Sequence, residues 1–146
     1  MPSVSIVVPT YKETENLQAL CETVDEELSN EEVTYELLIV GDRSLDDTVN
    51  IANALSEKFP LRLIQPQVRG GDFSLSVLDG IREAIADTVV VMDADLSHLI
   101  PKIPNLIAAL DEETFVAGSR YAKGGEFARG RSFWRFLNSL LVKLMV

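Results

Sequence analysis

The chain has little of what most metal and redox sites are built from. Its 146 residues include one cysteine, Cys21, and one histidine, His98. A single cysteine closes no internal disulfide, and the two residues lie far apart in sequence. Both counts argue against a zinc site or a Cys–His nucleophile. Cys21 falls in a helical pattern and reads as a small core or boundary residue, consistent with a reducing compartment. Basic residues are also few, 13 Lys+Arg against 23 Asp+Glu, a net charge of −10. That balance opposes nucleic-acid binding. No apolar run approaches the roughly 20 residues that cross a bilayer. The opening "MPSVSIVVPT" lacks the basic region and long apolar core of a secretory signal. The dinucleotide fingerprint G-x-G-x-x-G is missing after the first apolar run, where "PTYKETE" stands, and no G-x-x-x-x-G-K-[ST] occurs. An NAD or FAD oxidoreductase and a P-loop NTPase are both disfavoured.

What is present is an ordinary globular composition, 47% hydrophobic and 25% charged, long enough for one domain with a real core. Its charge is uneven. Residues 1–116 hold 7 Lys+Arg against 22 Asp+Glu, a balance of −15, whereas residues 117–146 hold 6 against 1, a balance of +5. An acidic body with a basic end suits an anionic partner at that end, a phosphate group or a membrane surface. A merely solvated basic helix is the plainer alternative.

Strand and helix patterns alternate along the chain. "VSIVVP" (Val4–Pro9) reads as a buried strand, and Glu13 to about Ser29 places Leu17, Leu20, Cys21, Val24 and Leu28 on one helical face. "YELLIV" (Tyr35–Val40) is a second strand, followed by a helix from Leu45 to Lys58. "LRLIQ" (Leu61–Gln65) is a third strand, of edge character, and Phe73 to Ala86 a third helix. "TVVVMD" (Thr88–Asp93) is a fourth strand. Pro101 and Pro104 open a short helix, Ile103 to Leu110. "TFVAGS" (Thr114–Ser119) is a fifth strand, and Arg131 to Val146 is helical. This alternation implies an α/β fold, a mainly parallel sheet flanked by helices on both faces. Ligands of such sheets bind at the carboxyl ends of the strands.

Three of the polar segments after these strands carry chemistry. In "VVVMDADLSH" an extended backbone would aim Asp93 and Asp95 to the same side. Two close carboxylates repel unless a proton or cation lies between them, and a hard divalent cation such as Mg²⁺ or Mn²⁺ also bridges to phosphate oxygens. D-x-D alone is common; its place directly after a hydrophobic strand raises its weight. The plainer reading is an Asp that caps the next helix. In "IVGDRSLDDT", Asp42 suits a base or ribose contact, and Ser44 or Asp46 equally suits a turn and helix cap. In "GSRYAKGGEF", Arg120 can hold phosphate oxygens in a bidentate way.

Together, "SIVVPTYKETENL", "YELLIVGDRSLDDT", "VVVMDADLSH" and "VAGSRYAKGGE" resemble, in order and spacing, the inverting family 2 glycosyltransferases of GT-A fold. The similarity is to the dolichol-phosphate or polyprenyl-phosphate mannose and glucose synthase branch, from about Ser5 to Gly125 and more weakly beyond. It implies a nucleotide-sugar donor of the GDP-mannose or UDP-glucose type, a divalent metal, Mg²⁺ or Mn²⁺, and a polyprenyl-phosphate acceptor. By position it assigns Pro9, Tyr11 and Glu13 to the nucleotide pocket and Val40 and Asp42 to the base. It places Asp93, Ala94 and Asp95 at ribose, metal and pyrophosphate, and Arg120 at phosphate. Asp93, Asp95 and Arg120 are thus the implied catalytic set, with Asp93 and Asp95 as metal ligands. Arg135 and Ser139, with Arg131 nearby, match an acceptor-side pattern weakly. Residues 1–125 then form the nucleotide-sugar-binding domain, and 126–146 a basic amphipathic helix that begins the acceptor region.

That helix can lie on a membrane surface, pack on the protein or mediate a homodimer. The implied location is cytoplasmic, peripheral at the membrane face. The sequence departs from the family pattern at Gly41 and Arg43, where the family writes Asp and Gly, and it is short at its carboxyl end. The alternative to an enzyme is therefore a truncated, non-catalytic nucleotide-sugar-binding or interaction module.

Overall fold

The computed structural model describes residues 2–10, 14–41, 47–65, 72–94, 100–111 and 115–118. The chain divides into two compact units, Met1–Thr114 and Phe115–Val146. In the first, β1 (Val4–Thr10), β2 (Tyr35–Gly41), β3 (Leu61–Ile64) and β4 (Val89–Val91) form a sheet in the order β3-β2-β1-β4. Every pairing is parallel. All seven residues of β1 and of β2 are buried, as expected of central strands covered on both faces.

The pleat sends alternate residues to opposite cores. Val4, Ile6 and Val8 of β1 and Tyr35, Leu37 and Ile39 of β2 join the larger core. There they meet α1 (Leu17–Asn30) and α2 (Thr48–Ser56). The helical face read from the sequence, Leu17, Leu20, Cys21, Val24 and Leu28, is fully buried in that core. α4 (Ile103–Ala108) enters it through Ile103, after a 3-10 turn and with proline at its start. Val7, Leu38 and Val40 form a smaller core on the opposite face, where α3 (Phe73–Glu83) packs.

α3 comes close because Gly80 is buried against the sheet. A Cβ there would enter the van der Waals envelope of Val7 Cγ1 and stand 3.0 Å from Val40 Cγ2. Beyond the contact, Leu75, Leu78 and Ile81 leave an exposed apolar flank on the helix.

Three elements differ from the sequence expectation. β4 is three residues rather than six, because its ladder with β1 ends at Val7↔Val91. α3 stops at Glu83 rather than Ala86, since Ala84 turns to an extended backbone. Phe115–Gly118 form no strand, and Phe115 is 93% exposed; β-branched composition favours a strand, but only a pairing partner makes one. The expected helix from Arg131 lies outside the described residues.

One buried charge crosses the amino-terminal half of the sheet. Glu36 of β2 is 4% exposed. Its Oε1 accepts from Ser5 Oγ and from the Ile85 amide at 2.8 Å, and its Oε2 accepts from Arg62 Nη1 at 3.0 Å. Burial pushes the carboxyl pKa up, but the Ser5, Ile85 and Arg62 donors outweigh it and hold the group below its ordinary 4.5.

Two outcomes follow. Gly80→Ala should destabilise the fold by about 1–2 kcal/mol, because overpacking outweighs the smaller helix-propensity gain of alanine; urea unfolding reads the difference. The native carboxyl of Glu36 titrates lower than the unfolded one. Its contribution is therefore complete above about pH 4.5 and is lost as pH falls through the depressed value. Glu36→Gln should flatten the dependence of the urea midpoint on pH below about 4.5; an unchanged slope would contradict the assignment.

Candidate functional site

The carboxyl ends of β1, β2 and β4 define one edge of the sheet. Pro9 is in register with Val40, and Thr10 with Gly41. Thr10 is buried, its hydroxyl 3.5 Å from the Val40 carbonyl oxygen. On the other side of β1, the Met92 amide donates to the Val7 carbonyl at 3.1 Å. The register ends at Val7↔Val91, so Asp93 lies two residues past the last paired residue of β4, beyond the carboxyl end of that strand. Met92 and Ala94 both enter the larger core, so Asp93 between them is directed to the opposite side and remains partly exposed. A buried Met and a buried Ala thus hold a half-exposed carboxylate at the strand end.

Pro9, Val40, Asp93 and Ala94 are accordingly brought to one edge, Val40 and Ala94 fully buried. Tyr11, Glu13, Asp42, Asp95, Arg120, Arg131, Arg135 and Ser139 lie outside the described residues. Among the described residues no group of three or more His, Cys, Asp or Glu stands ready for a metal ion. Asp93 has the hard oxygen donor that Mg²⁺ or Mn²⁺ takes, on a partly open edge.

The Thr10 hydroxyl also lies at this edge, though nothing in the local sequence marks it. Gly41 stands where the family pattern has Asp. A Cβ at Gly41 would rest 3.6 Å from Leu63 Cδ1, Thr10 Oγ1 and Thr48 Cγ2. These are ordinary contacts, so close approach by those neighbours does not require glycine. The next helix, α2, has Asp47 at its cap position without a side-chain cap bond; Asp47 Oδ1 instead accepts from Asn50 Nδ2 at 3.1 Å.

Cys21 takes no part in this edge. It is fully buried in α1, and burial first, then Glu22 and Asp25, pushes its thiol up to about 12. Nearby, the Tyr35 hydroxyl donates to Asp25 at 2.7 Å. Burial and that bond raise the tyrosine pKa as well.

A parallel sheet in the order β3-β2-β1-β4 with helices on both faces is a doubly wound α/β architecture, in which ligands bind at the carboxyl ends of the strands. Comparison with known proteins narrows the class. Residues 5–144 match the model "Glycosyl transferase family 2". The chain is 40% identical over 141 residues to a dolichol-phosphate mannosyltransferase of Pyrococcus furiosus, covering 96% of this chain and 38% of that protein. It is 33% identical over 145 residues to the Saccharomyces cerevisiae protein of the same name, covering 97% and 53%.

Among solved structures, Staphylococcus aureus TarS with UDP-GlcNAc aligns at TM-score 0.58 and 18% identity, over 83% of this chain and 38% of that one. A Pyrobaculum calidifontis mannosyltransferase with GDP-Man and Mn²⁺ aligns at 0.51 and 25%, over 73% and 31%. The chain belongs to glycosyltransferase family 2, and its fold is GT-A. It spans about two-fifths to one-half of the length of the curated relatives it matches.

The buried, weakly acidic thiol predicts that iodoacetamide leaves Cys21 unmodified in the folded protein at about pH 8 and labels it only in denaturant. Mass spectrometry of the intact chain distinguishes the two.

Proposed function

We propose that the chain supplies the donor half of a glycosyltransferase that moves a sugar from a nucleotide diphosphate to a polyprenyl phosphate. The observation that carries this reading is that the paired Pro9 and Val40 stand at the carboxyl ends of β1 and β2 and Asp93 follows the carboxyl end of β4, in a chain matched by the family over residues 5–144. Pro9 and Val40, both buried, would back the base and ribose from beneath, with Tyr11, Glu13 and Asp42 supplying the contacts. Asp93 and Asp95 would hold Mg²⁺ or Mn²⁺, which when bound neutralises charge on the diphosphate.

Arg120 would bind the phosphate oxygens and stabilise the charge that grows as the sugar leaves. An acceptor phosphate oxygen attacks the anomeric carbon from the face opposite the diphosphate. The new C–O bond forms as the old one breaks, so configuration inverts. The acceptor oxygen is already anionic, which removes the need for a strong general base. Arg131, Arg135 and Ser139 are the acceptor-side candidates, in the basic segment whose balance of +5 suits a lipid phosphate at a membrane surface. A homodimer contact is the other use of that segment's apolar residues.

Among the described residues no helix is long and apolar enough to cross a membrane; the basic segment is the part that would meet the cytoplasmic membrane face. Relatives named as mannosyltransferases favour catalysis over a binding-only module.

Calorimetric titration of GDP-mannose and UDP-glucose, with and without Mn²⁺, tests donor binding, and a transfer assay to a polyprenyl phosphate tests turnover. Asp93→Asn should weaken the Mn²⁺-dependent affinity about tenfold or more without shifting the urea midpoint. A folded wild-type sample that binds neither nucleotide sugar in the presence of Mn²⁺ would overturn the reading. Binding without turnover would identify a donor-binding module.

A further inference from the structure

We propose that Glu36, with Ser5, is a positioning pair that sets the phase of β4 and so decides which side chain reaches the carboxyl edge; the consequence for binding rests on the donor-site reading of Asp93. The two residues are in register on neighbouring strands and are both buried. They face the side of the sheet on which α3 packs. They hold two successive amides of the segment that leads into β4. Ile85 N donates to Glu36 Oε1 at 2.8 Å, and Ala86 N donates to Ser5 Oγ at 3.0 Å. Ser5 N then donates to the Thr88 carbonyl at 2.9 Å, opening the ladder. Arg62 braces the arrangement from outside: its Nη1 donates to Glu36 Oε2 and to the Glu83 carbonyl, each at 3.0 Å, and its Nη2 donates to Glu83 Oε2 at 3.3 Å. The entry to β4 is therefore tied to three strands before its first ladder residue.

The need for such a clamp follows from β4 itself. It has three residues, and among the described residues it pairs only with β1. A run of Val89, Val90 and Val91 carries no side-chain difference that distinguishes one register from the next. A one-residue slip sends every side chain to the other face. Here it would put Met92 or Ala94 at the edge and turn the Asp93 carboxylate into the larger core. A buried carboxylate is costly unless its oxygens are paired. Leucine would fill the same site without that cost but would release both bonds at Oε1. Glu36 lies on the amino-terminal half of β2, away from the carboxyl edge, so it acts through Asp93 rather than on the donor.

Three variants of the full chain test this: Glu36→Leu, Glu36→Gln and Ser5→Ala. Amide hydrogen exchange at Ile85 and Ala86, backbone shifts of residues 89–93 and Mn²⁺-dependent binding of GDP-mannose and UDP-glucose are read on each. Glu36→Leu should expose the Ile85 amide to exchange, move the 89–93 shifts and weaken binding about tenfold. Glu36→Gln keeps an acceptor oxygen for Ile85 and should restore binding to within about threefold. A lower urea midpoint with unchanged 89–93 shifts and unchanged affinity would reduce Glu36 to a stability residue and overturn the proposal. If Glu36→Leu does not fold, Ser5→Ala decides by the same measurements, through loss of Ala86 protection. If the wild type binds neither nucleotide sugar, the donor reading fails. The exchange and shift data still decide whether Glu36 sets the phase of β4.

Discussion

The structure depends on β1 being paired on both sides. β1 shares parallel ladders with β2 and β4, and no side chain on it reaches solvent freely. Because parallel strands point the same way, fixing β1 places three carboxyl ends in one line. Because side chains alternate, it also assigns each residue to one of two cores. The edge that gathers Pro9, Val40 and Asp93 is a consequence of that double pairing rather than of local loop geometry. Both faces must then be covered, which explains why α1 and α2 lie on one side and α3 on the other.

The sequence carried the parts of this governed by periodicity. The apolar face of α1 and the two continuous runs "VSIVV" and "LLIV" specify buried elements directly, because burial on both faces leaves no other pattern. The edge character of β3 was legible from its polar Arg62 and the proline after Gln65. The end of β4 was not. "VVVMD" is uniformly compatible with extended backbone, and only the last bond from Met92 to Val7 shows where pairing stops. The carboxyl end of α3 was obscured in the same way: Ala84, Ile85 and Ala86 suit a helix locally, but the Ile85 and Ala86 amides are claimed by Glu36 and Ser5.

Glu36 and Gly80 were invisible for a different reason. In "YELLIV" a carboxylate looks like a solvent position, and its partners Ile85 and Arg62 lie 49 and 26 residues away. Gly80 reads as a weak point in a helix until Val7 and Val40 are placed beneath it. Residues whose role is set by contacts distant in sequence have no local signature. The candidate site was legible through motif order, which named Asp93 and Ala94 at a strand end. The division of labour between them, one directed out and one in, needed the register.

The two halves of the sheet thus place opposite demands on charge. At the amino-terminal half, Glu36 is removed from water and its oxygens accept from a hydroxyl, an amide and a guanidinium. At the carboxyl edge, Asp93 keeps part of its surface open. A carboxylate buried with three donors is closed to a ligand by its surroundings, and an open one has no fixed geometry of its own. The Arg62 side chain is 42% exposed, and ion pairs open to water contribute little, so the pair alone is a poor account of why a carboxylate sits within a central strand. Fixing the backbone that leads to an open carboxylate is a better one. A site that must remain available to bind needs its precision supplied from elsewhere in the fold.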